Sequence, residues 1–194
     1  MSRRVENFTA EVPVWRPYVE PVVLAEATAE QLDALKVTPS NTKVSDYVLV
    51  LAHDPQSLHA RTPLFNAIMY DRGGMSRAER ELGAVGASIV NRCIYCAAVH
   101  ASRYNQLTRT TEPMQAVFDH GAEAELAPRD RAILGFAIKL SACPPAVETA
   151  DVEALAEAGL SQEEMLDLVL STALFGWANR LMHTLGEPVE PDAG

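Results

Sequence analysis

From Thr28 to about Leu185 the apolar residues recur at intervals of three and four, and no segment alternates convincingly between apolar and polar. That is the period of a helix with one buried face, so the chain is confined to all-helical architectures. Punctuation divides the pattern. Asp54 before Pro55 predicts a helix with proline at its first position, running to about Tyr70, where Arg72-Gly73-Gly74 stops it; Pro63 is a site for a kink or split. Ser76 with Glu79, and Ser161 with Glu164, have the capping-box spacing, in which serine oxygen and carboxylate satisfy backbone donors that a helix start leaves unpaired. Thr111-Glu112-Pro113 opens a short helix closed by Gly121, and Pro128 opens one to about Ser141 that Cys143-Pro144-Pro145 prevents from continuing. A helix from about Val147 to Ala158 stops at Gly159, a left-handed cap, and leads into another from Ser161 to about Leu185. This last helix is apolar on most faces, which predicts a central position or a subunit interface.

The 194 residues fit one domain. Residues 1–25 carry Pro13, Pro17 and Pro21 around Trp15, a composition that predicts an extended arm, either packed on its own body or clasping a neighbour through Trp15 and Tyr18. Residues 26–186 form the helical domain, and residues 187–194 are expected to fray. A net charge of −10 without a basic run excludes a nucleic-acid footprint or an anionic membrane surface. No stretch approaches the roughly 18 apolar residues of a membrane span, and the start lacks the apolar core of a secretion signal, so the expected location is cytoplasmic. The expected partners are small molecules, proteins or further copies of the chain. Three cysteines, an odd number, do not make a secreted disulfide framework.

Two of them, in Cys93-Ile94-Tyr95-Cys96, have a spacing that reads as redox or metal chemistry. On a helix Cys93, Cys96 and His100 project within an arc of roughly 60°. Residues three apart lie about 5 to 6 Å from each other, within the reach of a disulfide. An imidazolium at His100 would favour thiolate at Cys96, and thiolate is the form that attacks a peroxide. Glu81 would lie about 18 Å from Cys93 along one straight helix, so it takes part only if the helix breaks. Asn91-Arg92 is the expected break, with Asn91 left-handed and Gly83 and Gly86 weakening the helix before it. A break there puts both cysteines in the first turn of a new helix, where exposed N–H groups lower thiol pKa. Two thiolates, an imidazole and a carboxylate are also a donor set for zinc, without the second CxxC or paired histidine of common zinc sites. Tyr95 either packs or donates a hydrogen bond to a bound peroxide. Cys143 reads as an inert core thiol, His183 as a candidate for lining the site, and Asn179 and Arg180 as residues that tie helix ends or subunits together.

Glu81, the CxxC pair beginning twelve positions on, and His100 four positions after Cys96 resemble the signature of the AhpD-like proteins of the carboxymuconolactone decarboxylase superfamily. The likeness is to the peroxidase-related branch, where a tyrosine commonly precedes the second cysteine. The helix order and the segment Phe175-Gly-Trp-Ala-Asn-Arg180 are similar too, so the resemblance covers most of residues 45–185. It implies a single-domain, all-α bundle of the AhpD-like type that forms a homo-oligomer and works as a thiol peroxidase without a cofactor, on hydrogen peroxide or small organic hydroperoxides. Carried over onto matching positions, Cys96 is the peroxidatic cysteine, Cys93 the resolving one, Glu81 the general base and His100 the proton relay, with an external dithiol as reductant. The founding alkylhydroperoxidase D enzymes have a second histidine where this chain has Tyr95. Two other functions remain open: decarboxylation or lactone processing, as in the superfamily's naming members, and a non-enzymatic zinc-binding or redox-sensing role.

Overall fold

The computed structural model describes residues 2–35 and 43–191. Among them the chain is all-helical apart from one small ribbon. The helices are α1 (Ala29–Ala34), α2 (Asp46–Leu51), α3 (Pro55–Tyr70), α4 (Arg77–Val90), α5 (Ile94–Thr108), α6 (Glu112–His120), α7 (Pro128–Ser141), α8 (Thr149–Glu157) and α9 (Gln162–Leu185). Both expected capping boxes form, Asp54 caps α3 ahead of Pro55, and Gly159 is left-handed between α8 and α9. Pro63 sits inside α3, which continues through it without a split.

The centre belongs to α4 rather than to α9. Every residue of α4 from Arg80 to Ser88 is buried, because α5, α7 and α9 pack around it. Gly86 permits this: a Cβ there would stand 2.7 Å from that of Ala137 on α7, so the glycine serves close helix approach rather than a helix end. The helix α9 buries Leu168, Leu174, Phe175 and Met182 but leaves Leu166, Leu170 and Trp177 exposed.

The two ends of the chain pair with each other, which the sequence does not announce. Val14–Pro17 (β1) pairs antiparallel with Gly186–Val189 (β2), Trp15 opposite Pro188 and Arg16 opposite Glu187. Residues 187–190 of the segment expected to fray are therefore held, from one side by β1 and from the other by Val5 N–H donating to Pro188 O and Glu190 N–H donating to Arg3 O, while 192–194 lie outside the described residues. Proline-rich strands of four residues are too short to show alternation, which is why the pattern reads as an arm and a loose tail. The arm packs on its own body: Trp15 is buried beside Tyr47, Cys93, Cys96 and Met182, and its indole N–H donates to Met182 O at 3.3 Å. Gly186 gives the indole room, since a Cβ there would lie 2.4 Å from the ring. Cys143, expected in the core, is exposed. Among the described residues no helix is long and apolar enough to cross a membrane.

Candidate active site

The break between α4 and α5 builds the site. Asn91 stays right-handed, its side chain donating to Ala87 O at 2.9 Å, and the left-handed residue is Arg92, with φ 52°. Arg92 N–H returns to Ile89 O and Cys93 N–H to Ser88 O, the paired bonds of a Schellman turn with arginine where glycine is usual. Cys93 thus closes α4 and also occupies the N-cap of α5. The chain reverses there, and α5 runs back along α4, bringing His100 beside Glu81 as the motif requires.

Glu81 is fully buried and both of its oxygens are engaged. Oε1 accepts from Arg77 Nε at 2.9 Å and from Arg77 Nη2; Oε2 lies 2.5 Å from His100 Nδ1. Burial by itself raises the carboxyl pKa, but the charges and hydrogen bonds of His100 and Arg77 outweigh it and hold the carboxyl below its ordinary value. Arg77 is itself fixed, donating to Met69 O and lying 3.8 Å above the Tyr70 ring. Bound through Nδ1 and set 4.0 Å from the Phe175 ring, His100 keeps Nε2 for the cavity it lines. Glu81 therefore orients His100 and contacts neither cysteine.

The expectation that both thiols are acidified holds for one. A hydrogen bond from the Cys96 thiol, with the Cys96 amide and Asn179, lowers the Cys93 pKa against the opposing effect of burial, although the sulfur forms no regular capping bond. Cys96 goes well up, first because its thiol donates to Cys93, then through burial and the neighbouring sulfur's charge. Of the two thiols, Cys96 is therefore the harder to ionise. The first turn of α5 does not overcome that, and His100 faces Glu81 rather than acidifying Cys96.

The two sulfurs also open in different directions. Cys96, Tyr95, His100 and Glu81 line a cavity of about 460 Å³ walled by α2, α3, α4, α5 and α9. Cys93 instead lines a crevice of about 30 Å³ beside the β1–β2 ribbon, with Tyr95, Arg92 and His183. His183 thus stands on the Cys93 side, bonded to Asn91 O at 2.9 Å.

Asn179 is the residue whose part the sequence understated. It is fully buried on α9, accepts from Asn91 Nδ2 and donates to Ser88 Oγ, each at 3.2 Å. Beyond tying helices together it favours thiolate at both sulfurs. The available signal was a single amide on the buried, largely apolar face of α9. Among the described residues no group of three His, Cys, Asp or Glu side chains is arranged to hold a metal ion.

The fold recurs in known proteins. The family model for the carboxymuconolactone decarboxylase family matches residues 55–139. A crystal structure of an alkylhydroperoxidase AhpD core, a peroxidase-related protein from Ralstonia eutropha JMP134, is 31% identical, with a TM-score of 0.76 over 93% of this chain and 94% of that one. This chain belongs to the carboxymuconolactone decarboxylase family, among its AhpD-like members. A peroxidase-related protein from Silicibacter sp. TM1040 is 25% identical, with a TM-score of 0.72 over 87% of this chain and 91% of that one. The debrominase Bmp8, at 19% identity and a TM-score of 0.75 over 90% of this chain and 93% of that one, shares the fold. None of the curated proteins matches the sequence. Members of the carboxymuconolactone decarboxylase superfamily are generally enzymes, and the fold alone hosts more than one chemistry.

Proposed function

We propose that the protein is a thiol peroxidase that reduces hydrogen peroxide or small organic hydroperoxides through Cys96 and Cys93. What carries the reading is Cys96 on the wall of a cavity that also holds His100, with Cys93 one helical turn away on its far side. Access supports a division of roles. Cys96 meets the peroxide, and His100 Nε2, aimed by the Glu81 carboxylate bound at Nδ1, takes the Cys96 proton as the sulfur attacks the O–O bond. The alcohol or water leaves with that proton, and Cys96 becomes a sulfenic acid.

The Cys93 thiolate then attacks the Cys96 sulfur. The S–S bond forms, the S–O bond breaks, and the departing hydroxide takes up a proton to leave as water. A lowered pKa suits Cys93 to this resolving step. An external dithiol reduces the disulfide, and the net reaction converts one hydroperoxide and one dithiol into an alcohol, water and a disulfide. Tyr95 stands on the cavity wall within reach of a bound peroxide. A homo-oligomer belongs to the same reading, and the exposed Leu166, Leu170 and Trp177 of α9 offer it a surface that light scattering can test through Trp177→Glu.

The deciding experiment is a thiol count with intact mass. The reduced chain has three cysteines, and one equivalent of hydroperoxide should leave one free thiol and a mass lower by two hydrogens. In Cys96→Ser, turnover with a dithiol should fall by about a thousandfold or more. Three thiols surviving excess peroxide overturn the reading.

A further inference from the structure

The α2 and α3 wall of the cavity holds polar groups that nothing among the described residues satisfies. Arg61, on α3, lies 4.4 Å above the Phe65 ring, and its Nε is buried without a hydrogen-bond partner. It forms no ion pair among the described residues. Tyr47, on α2, is 8% exposed, and its hydroxyl is likewise buried and unpaired. Both residues line the cavity with Cys96. Tyr47 is close enough to Arg61 and to Cys96 for each to bear on its ionisation.

Among the described residues the lining has one carboxylate, Glu81, which is taken by Arg77 and His100, while Lys43 and Arg61 bring further positive charge. This cationic cavity lies in a chain of net charge −10. A half-buried guanidinium whose Nε is shut off from water and unpaired is costly, and a neutral hydroperoxide group supplies no counter-ion. A carboxylate does, because it accepts parallel N–H bonds from arginine and a further bond from a phenol. Phe65 and Phe175 flank the space between with apolar surface.

We propose that the substrate is an organic hydroperoxide bearing a carboxylate, held by Arg61 and the Tyr47 hydroxyl while its peroxide faces Cys96. The proposal rests on the peroxidase reading and names the substrate class for it. Two probes that differ only in charge test it: 4-(2-hydroperoxypropan-2-yl)benzoic acid and its methyl ester, turned over with dithiothreitol as reductant. The wild-type protein should favour the acid by about tenfold or more in kcat/KM, the scale of one buried charge-assisted contact. In Arg61→Met that ratio should fall to near one, and Arg61→Lys should restore part of it. Because the readout is a ratio, general damage to the variant cancels.

A ratio near one in the wild-type protein, or a preference that survives Arg61→Met, overturns the proposal. If no hydroperoxide is turned over and no disulfide forms, the peroxidase reading is what fails. The anion site is then read separately by titrating 4-isopropylbenzoate, which contains no peroxide, into the wild-type protein and Arg61→Met by calorimetry. Binding weakened about tenfold in the variant supports the carboxylate site, and equal or absent binding overturns it.

Discussion

On the side of the cavity built by α4, α5 and α9, the polar groups of the site are paired: Glu81 takes three N–H donors, Arg77 reaches Met69 O, and Asn179 links Asn91 to Ser88. On the side built by α2 and α3, the Tyr47 hydroxyl and Arg61 Nε have no partner although both are buried. Groups that act on the reacting atoms have to be aimed before substrate arrives, and mutual hydrogen bonding aims them. Groups that recognise a ligand have to be vacant beforehand, and the folded protein carries the cost of that vacancy. The difference separates a wall that performs chemistry from a wall that selects.

The largest test of the paired wall is Glu81→Gln. It leaves His100 and Arg77 facing a neutral amide, so kcat/KM for peroxide should fall by about a hundredfold through loss of the base behind His100. Removing the charge from a buried ion pair should also cost about 3 kcal/mol in chemical denaturation. The pH dependence has a fixed sign. The folded protein holds the Glu81 carboxyl below its ordinary value, so its stabilising contribution is complete above the ordinary carboxylate range and is lost as pH falls through the folded value. The gap in stability between wild type and variant should therefore be full at neutral pH and narrow below about pH 4. A constant gap from neutral to strongly acid pH would mean that Glu81 is not the charged partner of His100.

Asn179→Leu should act more mildly and on both sulfurs. Loss of its N–H donation raises the Cys93 pKa, which should slow alkylation of the reduced pair by iodoacetamide at neutral pH by about fivefold. Ser88 and Asn91 lose a partner inside the bundle, so stability should fall by about 1 to 3 kcal/mol. Unchanged alkylation beside lost stability would reduce Asn179 to a strut between helices.

What the sequence disclosed and what it withheld divide along physical lines. Capping boxes, proline starts and the Glu81, Cys93, Cys96 and His100 spacing are local signals, and α3, α4, α6, α7 and α9 begin where those signals put them. The reversal between α4 and α5 was also local, although the left-handed residue is Arg92 because the Asn91 side chain is occupied by Ala87 O and Asn179. The pairing of β1 with β2 depends on contacts some 170 positions apart between proline-rich segments, and nothing in either segment announces the other. The order of the two thiol pKa values arises from a hydrogen bond between the sulfurs and from burial, not from spacing. Arg61 is one arginine of an ordinary helix until α2 brings Tyr47 beside it.

The vacant wall gives the smallest and most diagnostic effect. In Tyr47→Phe a hydroxyl with no partner is replaced by hydrogen, leaving the ring against Trp15, where the two now meet edge to face with centroids 5.6 Å apart. With no hydrogen bond lost and one buried polar group removed, stability in the absence of ligand should stay level or rise by up to about 1 kcal/mol. This is the opposite sign to Asn179→Leu, although both substitutions remove a buried polar group from the same cavity region. The gain should shrink when 4-isopropylbenzoate is present, because only the wild-type protein offers the carboxylate a phenol donor. A loss of 1 kcal/mol or more without ligand would show that the hydroxyl is already satisfied in the folded protein, and the contrast between the two walls would not survive it.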